Sequence, residues 1–294
     1  MKRRDFVGRL AGGAVLVAGS ARALAAMDPR LAANELFGGA AAGQLKRVSL
    51  ELYSVRNEMK KDPEATLAAV RAMGYDEVEL LWSFGNFGRT NDQVKTALAN
   101  AGLKAPSAHI APDILTKDWQ KSVDAAAYLG QQYLIVPSLN AEADKSVDEW
   151  KRWADVFNTA GAQARKSGIW LGFHNEPNHQ KPINGVVPYD VFIERTDPTA
   201  VRLQLDTGNM RMGGGDPMQY LKKHHDRYWT FHVKDVLADN SKDCELGAGS
   251  VDFKTFFAAI KHLDQKVVVV EQEGSPAPLE SAKRNLQFLR ALRL

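Results

Sequence analysis

From residue 48 onward the chain repeats one plan eight times: a short apolar run, then an amphipathic stretch. The apolar runs cover 48–53, 77–82, 104–110, 133–137, 169–174, 201–206, 228–234 and 266–271. Runs this short and this rich in Val, Ile and Leu read as strands covered on both faces. The stretches between them space apolar residues three and four apart, as a helix with one buried face does. They predict helices at 63–73, 91–101, 117–129, 147–166, 189–195, 217–223, 253–262 and 278–292. Gly102 and Gly168 follow two of these helices as C-caps, and Asp216-Pro217 opens another as N-cap and first helical residue. Strands that alternate with helices make right-handed βαβ crossovers and a parallel sheet. Eight such units predict an α/β chain with a single (β/α)8 TIM barrel over 47–294. A doubly wound open sheet is the alternative. No Gly-x-Gly-x-x-Gly follows the first strand, however, and Gly213-Gly-Gly215 reads only as a turn.

In such a barrel the chemistry sits at the C-terminal ends of the strands. The polar residues there are Glu51 and Arg56, Glu79 and Trp82, His109, Asn140, His174 with Asn175 and Glu176, Asp206 with Asn209, His232 with Lys234, and Glu271 with Glu273. Residues two apart on a strand share a face, so His174 and Glu176 project together, as do His232 and Lys234. Each residue alone has a structural reading: a hydrogen-bonded histidine, or an aspartate in a turn before Thr207-Gly208. Together, strands five to eight each end in a side chain able to hold a metal. Burying several carboxylates without a counter-charge is costly, and a divalent cation removes that cost. The candidate ligands are His174, Glu176, Asp206, His232 and Glu271, a set that suits one Mn, Co, Zn or Mg ion. Lys234 either neutralises a substrate oxyanion or pairs with a carboxylate. Glu51, Arg56, Trp82, Asn175 and Asn209 are candidates to bind substrate. Trp82 and Phe84 either stack on a sugar face or pack the rim.

Residues 1–25 read as a twin-arginine signal peptide. Lys2-Arg3-Arg4 precedes a short apolar run, and Ala21-Arg22-Ala23 and Ala23-Leu24-Ala25 fit a small-x-small cleavage site. This predicts export to the periplasm, with no lasting membrane insertion once the signal is cut. Residues 26–46, rich in Ala and Gly, read as a linker. The formal net charge is +3. Removing the signal takes away five basic residues and Asp5, leaving −1, which gives no electrostatic footprint for nucleic acid. The one cysteine, Cys244, excludes an intramolecular disulfide and a cysteine metal cluster. It lies between Asp243 and Glu245, which disfavour its thiolate.

The stretch from Val48 to Leu292 resembles the xylose isomerase-like (sugar phosphate isomerase/epimerase-like) barrel family. The resemblance rests on Leu52-Tyr-Ser-Val-Arg56, Gly172-Phe-His-Asn-Glu-Pro177, Leu205-Asp-Thr-Gly-Asn209, Phe231-His-Val-Lys-Asp235 with Gly247-Ala-Gly-Ser-Val-Asp-Phe253, and Val268-Val-Val-Glu-Gln-Glu273. It implies a metal held by one residue from each of strands five to eight, the last three being Asp206, His232 and Glu271. At the fifth strand the chain departs from the pattern: His174 stands where the family's epimerases carry a glutamate, and Glu176 follows two residues later. Register favours His174 as the ligand, with Glu176 facing the same cavity as ligand or base.

The resemblance further implies a metal-dependent isomerase or epimerase acting on a keto-sugar. A carboxylate removes the proton beside a carbonyl and gives an enediolate. Glu176 and Glu271 are the proton-transfer candidates, and Lys234 or His109 would stabilise the oxyanion. An exported enzyme meets free sugars rather than sugar phosphates. The alternative is a metal-dependent lyase, dehydratase or hydrolase on a keto-glycoside or an inosose. A non-catalytic sugar-binding barrel is the reading outside enzymology. The endonuclease IV branch of this barrel needs extra histidines, and Asn209 stands where one would help. The resemblance also leaves a homodimer open.

Overall fold

A computed structural model describes residue 45 and residues 47–294. The segment read as a signal peptide and nearly all of the one read as a linker lie outside the described residues.

Eight parallel strands close into a barrel, each hydrogen-bonded to its neighbours in chain order and the last to the first. They are β1 (Ser49–Glu51), β2 (Glu77–Leu81), β3 (Lys104–His109), β4 (Tyr133–Val136), β5 (Trp170–His174), β6 (Val201–Asp206), β7 (Tyr228–Val233) and β8 (Val267–Val270). The eight crossing helices are α1 (Pro63–Met73), α2 (Asn91–Ala101), α3 (Trp119–Leu129), α4 (Val147–Arg165), α5 (Pro188–Arg195), α6 (Pro217–Lys223), α7 (Phe253–Ala258) and α8 (Pro278–Ala291). The predicted TIM barrel is therefore the observed fold. Two short helices, Arg56–Lys61 and Thr207–Met212, and a small antiparallel ribbon, Asp235–Val236 against Asp243–Cys244, are additions that periodicity did not announce.

Local chemistry sets the helix ends. Asp62 accepts from Ala65 N ahead of Pro63, and Thr90 with Gln93 forms a reciprocal capping box. α4 turns Trp150, Trp153 and Phe157 onto the sheet, and burying side chains of this size contributes about 2–3 kcal/mol each.

The strands put one face against the helices and the other into the barrel. Ser49 and Glu51, Glu77 and Glu79, Ser107 and His109, Gly172 and His174, and Gln204 and Asp206 come into line across the registers. Gly172 is needed there, because a Cβ at that position would lie 2.9 Å from Ile135 Cγ1. Inside the barrel, Tyr133, Ile135, Val267 and Val269 form a small apolar cluster under the polar strand ends, with Trp170 and Trp229 against it. A register shift between Leu203 and Gln204 in the β6–β7 pairing lets both Trp229 and His232 reach inward.

Candidate metal centre and cleft

At the C-terminal mouth the strand ends converge. One ligand atom each from His174, Asp206, His232 and Glu271 lies within 4.8 Å of the others, and all four residues are buried. The strand-end alternation read from the sequence accounts for the set. His174 and Asp206 close β5 and β6, His232 sits one residue before the end of β7, and Glu271 follows β8 directly.

The local motif around each donor has a physical reason. Asp206 caps the helix Thr207–Met212, its Oδ1 accepting from Asn209 N at 2.7 Å. That leaves Oδ2 facing the centre, 3.4 Å from His174 Nε2, with the ion pair to Lys234 at 3.1 Å as its charged contact. Both ring nitrogens of His174 are buried without a hydrogen-bond partner. Burial pushes His174 down to about 4, so near neutral pH its ring is uncharged with a lone pair to offer. A neutral, buried imidazole with no hydrogen-bond partner, beside a buried carboxylate oxygen, fits a divalent cation, which would take its lone pair.

Around this group runs a network of charge. His232 Nδ1 is 2.8 Å from Glu271 Oε2 and its Nε2 is 2.5 Å from Glu79 Oε1. Burial opposes the charged ring, but Glu271 and Glu79 reverse this and raise His232 to about 10. Glu271 is held well below the usual carboxylate range: burial works against ionisation, and Lys234 and His232 outweigh it. Glu176, 3.9 Å from His174 Nδ1, is pushed up to about 8, chiefly by burial. Its Oε2 accepts from Asn209 Nδ2 at 3.0 Å. Lys234 Nζ lies 3.1 Å from Asp206 Oδ2 and 3.0 Å from Glu271 Oε2, so this lysine turns inward and pairs with carboxylates, one of the two roles the sequence left open.

The mouth opens into a cleft of about 310 Å³, enough for one small ligand. His109, His174, Glu176, Asn209, Glu271 and Glu273 line its polar side, and Tyr53 and Phe84 are among the apolar residues opposite. None of the residues lining it is Lys or Arg.

Four substrate-binding expectations meet a different geometry. Trp82 lines a separate groove with Ile114, Lys121 and Tyr128, because Leu81 takes the inward position and the next residue falls outside. Asn175 is fully buried and spends its amide on the backbone of Asp206, accepting from its N at 2.9 Å and donating to its O at 3.1 Å. Glu51 is also fully buried below the cleft, beside Glu79, and burial followed by the Glu79 charge holds its carboxyl well above the usual range. Arg56 braces the rim instead, stacking 4.1 Å over the Tyr53 ring and donating to Glu273 O. Asn209 is in the cleft as expected.

Sequence reasoning gave no role to Glu79 or Gln204. Gln204 Oε1 lies 2.8 Å from His109 Nε2, and Gln204 Nε2 donates to Glu79. The two-residue step back from Asp206 was the available signal for Gln204. A second buried group able to hold a cation, Glu51, Glu79, His109 and His232, shares His232 with the first.

The glycine-rich stretch after β7 serves the backbone. Asp235 accepts from the amides of Val236, Gly247, Gly249 and Val251, which folds the loop back on the residues that follow β7. Gly247 has a φ of +83°, the left-handed region where glycine carries no Cβ penalty.

Residues 67–292 match the model of the xylose isomerase-like TIM barrel family. An inosose dehydratase of Salmonella typhimurium strain LT2 is 31% identical over 165 residues, 49% of this chain and 54% of that protein. An inosose dehydratase of Lacticaseibacillus casei is 27% identical over 230 residues, 64% of this chain and 76% of that protein. The chain thus spans about half the length of the first of these curated relatives and more of the second. A sugar phosphate isomerase/epimerase from Parabacteroides distasonis superposes with a TM-score of 0.72 at 25% identity, over 86% of this chain and 96% of that one.

Proposed function

The chain belongs to the xylose isomerase-like TIM barrel family, and we propose that it is a metal-dependent enzyme that removes the proton next to the carbonyl of an uncharged keto-sugar or keto-polyol. The observation that carries this reading is the convergence of four buried donors, His174, Asp206, His232 and Glu271, at the floor of an acid-lined cleft. A divalent ion held there would polarise the substrate carbonyl and acidify the adjoining C–H.

The chain's own residues do the rest. Glu176 borders both the donor group and the cleft, and Asn209 donates a hydrogen bond to its Oε2. It is the proton carrier. Its carboxylate takes the α-proton as the C–H electron pair moves toward the carbonyl oxygen. In dehydration the same group returns that proton to the β-hydroxyl. The C–O bond then breaks, water leaves, and a C=C bond forms beside the restored carbonyl. No oxidant or reductant is needed. The relatives named inosose dehydratase support this outcome.

Epimerisation is the second reading. Glu271 also borders the cleft and would return the proton from another direction, and a solved relative is named an isomerase/epimerase. A sugar phosphate fits poorly, because its anionic group would enter among Glu176, Glu271 and Glu273 with no lining Lys or Arg to receive it. Export through a twin-arginine signal, which the N-terminal sequence supports, agrees with a free sugar as substrate.

The test is turnover of free inososes, ketoses and 3-keto-glycosides in deuterated water, with Mn2+ or Co2+ added. Release of water with formation of an unsaturated ketone supports the dehydratase. Deuterium gained in an epimer supports the second reading. Glu176→Gln should slow either reaction about 100-fold or more. Neither turnover nor exchange with any of these carbonyl compounds would overturn the proposal.

A further inference from the structure

The turn at Asp206-Thr-Gly-Asn209 and the end of β7 are built around one amine. Thr207 Oγ1 donates to Lys234 O at 2.8 Å and accepts from Lys234 N at 3.1 Å. Gly208 leaves a track for the lysine stem: a Cβ there would lie 2.7 Å from Lys234 Cγ. The side chain is fully buried. Its Nζ meets four oxygens, Asp206 Oδ2 at 3.1 Å, Glu271 Oε2 at 3.0 Å, Asn209 Oδ1 at 3.0 Å and Glu273 Oε1 at 2.5 Å. The first two residues belong to the metal-competent group. The last two do not, and the Glu273 side chain is 41% exposed.

Lys234 therefore already supplies a cation to the two carboxylates that a metal ion would need. Like charges in one low-dielectric pocket repel strongly. A lysine is a compact charge on a flexible stem, able to move between neighbouring acceptors. We propose that Lys234 competes with the metal ion for Asp206 and Glu271, and that Asn209 and Glu273 form the outer seat to which its amine withdraws when the ion enters. The inference rests on the metal reading above and adds that Lys234 limits the affinity of the donors. It gives separate jobs to the residues of one turn: Asp206 binds the ion, Gly208 clears the path and Asn209 receives the amine.

The experiment is Mn2+ binding to the full-length protein, followed by the paramagnetic resonance signal of the free ion. It compares the wild type with Lys234→Met, Glu273→Gln and the double variant. Lys234→Met should bind Mn2+ about 10- to 100-fold more tightly. Glu273→Gln, which weakens the outer seat, should bind it several-fold more weakly, and this loss should vanish in the double variant. Should Lys234→Met fail to fold, Lys234→Gln carries the same expectation, since its amide can still donate to Asn209. Unchanged or weaker Mn2+ binding on loss of the amine, with a wild type that does bind, overturns the competition alone. An undiminished Glu273→Gln effect in the double variant overturns the outer seat. No Mn2+ and no Zn2+ bound by any of the four proteins overturns the metal reading, and this inference with it.

Discussion

The two ends of this barrel handle buried charge in opposite ways. At the C-terminal mouth, Lys234 sits among Asp206, Glu271, Glu273 and Glu176. Burial alone would lower its pKa, but these carboxylates raise it well above the usual lysine range. At the N-terminal floor, Lys266 lies 3.5 Å over the Trp229 ring, with Arg202 and Asp226 the neighbouring charges. Burial and then Arg202 push Lys266 down to about 8. The floor is a ladder of cations and rings. Arg165 stacks on Trp170, Arg202 lies 3.5 Å from both Trp170 and Trp229, and Lys266 completes the series. A π face attracts a cation through the ring quadrupole and presents no charged oxygen for a second cation to claim. Ion pairs among buried acids leave oxygens that another cation can claim. The contrast explains why one end can host chemistry while the other is suited to closing the fold.

The largest expected effect tests the mouth. Asp206→Ala and His232→Ala should each lose bound metal and at least about a thousandfold in turnover, measured by metal analysis and a rate assay. His174→Ala should also lose the metal, whereas Glu176→Gln should keep it while losing rate, since only His174 belongs to the converging donors. Stoichiometric metal in the Asp206 or His232 variant would erase the functional difference between the ends.

Next comes the floor. Arg202→Met removes a cation held between two indoles and its bond to the Tyr133 hydroxyl. It should cost about 2–3 kcal/mol of stability, or roughly 5–10 °C in Tm, with turnover per folded molecule within about threefold of wild type. A large loss of rate without loss of stability would contradict the division of roles.

A smaller effect depends on pH. Lys266 binds its proton less tightly folded than unfolded, so the unfolded chain carries more protons between about pH 8 and 10.5. Wild-type stability should gain from this residue as pH rises through that window. Solvent screening at a half-buried site holds the gain to about 1 kcal/mol. Denaturant unfolding of wild type and Lys266→Met at pH 7.5 and 10 should show a flatter response in the variant.

The smallest effect concerns Cys244. Burial, then Asp235, Asp243 and Glu245, push its thiol up to about 11. Alkylation by iodoacetamide at pH 8 should be slow and should accelerate about tenfold per pH unit up to pH 10. Fast labelling at pH 8 would show a thiol unlike the one described.

Much of this was legible in the sequence. The eight runs located the strands, and two-residue alternation placed His174, His232, Lys234 and Asp206 inside the barrel. Alternation loses its hold where a strand ends. Trp82 begins a tight segment in which Gly85, Asn86 and Phe87 take left-handed backbone angles, so a ring assigned to the substrate lines another groove. Contacts across the barrel were also hidden, because no spacing along the chain links Glu79 to His232 or Asn175 to the backbone of Asp206. The same blindness made Asn175 and Glu51 look available for substrate when both are buried.

The floor ladder runs across β5, β6, β7 and the start of β8, the same four strands whose far ends carry the donor set. On β6, Arg202, Gln204 and Asp206 follow one another along a single inward face, about 13 Å from first to last. A single strand thus carries a π-held cation at its start, an amide at its middle and a candidate metal donor at its end, so one inward face passes from the closed floor to the open mouth within four residues.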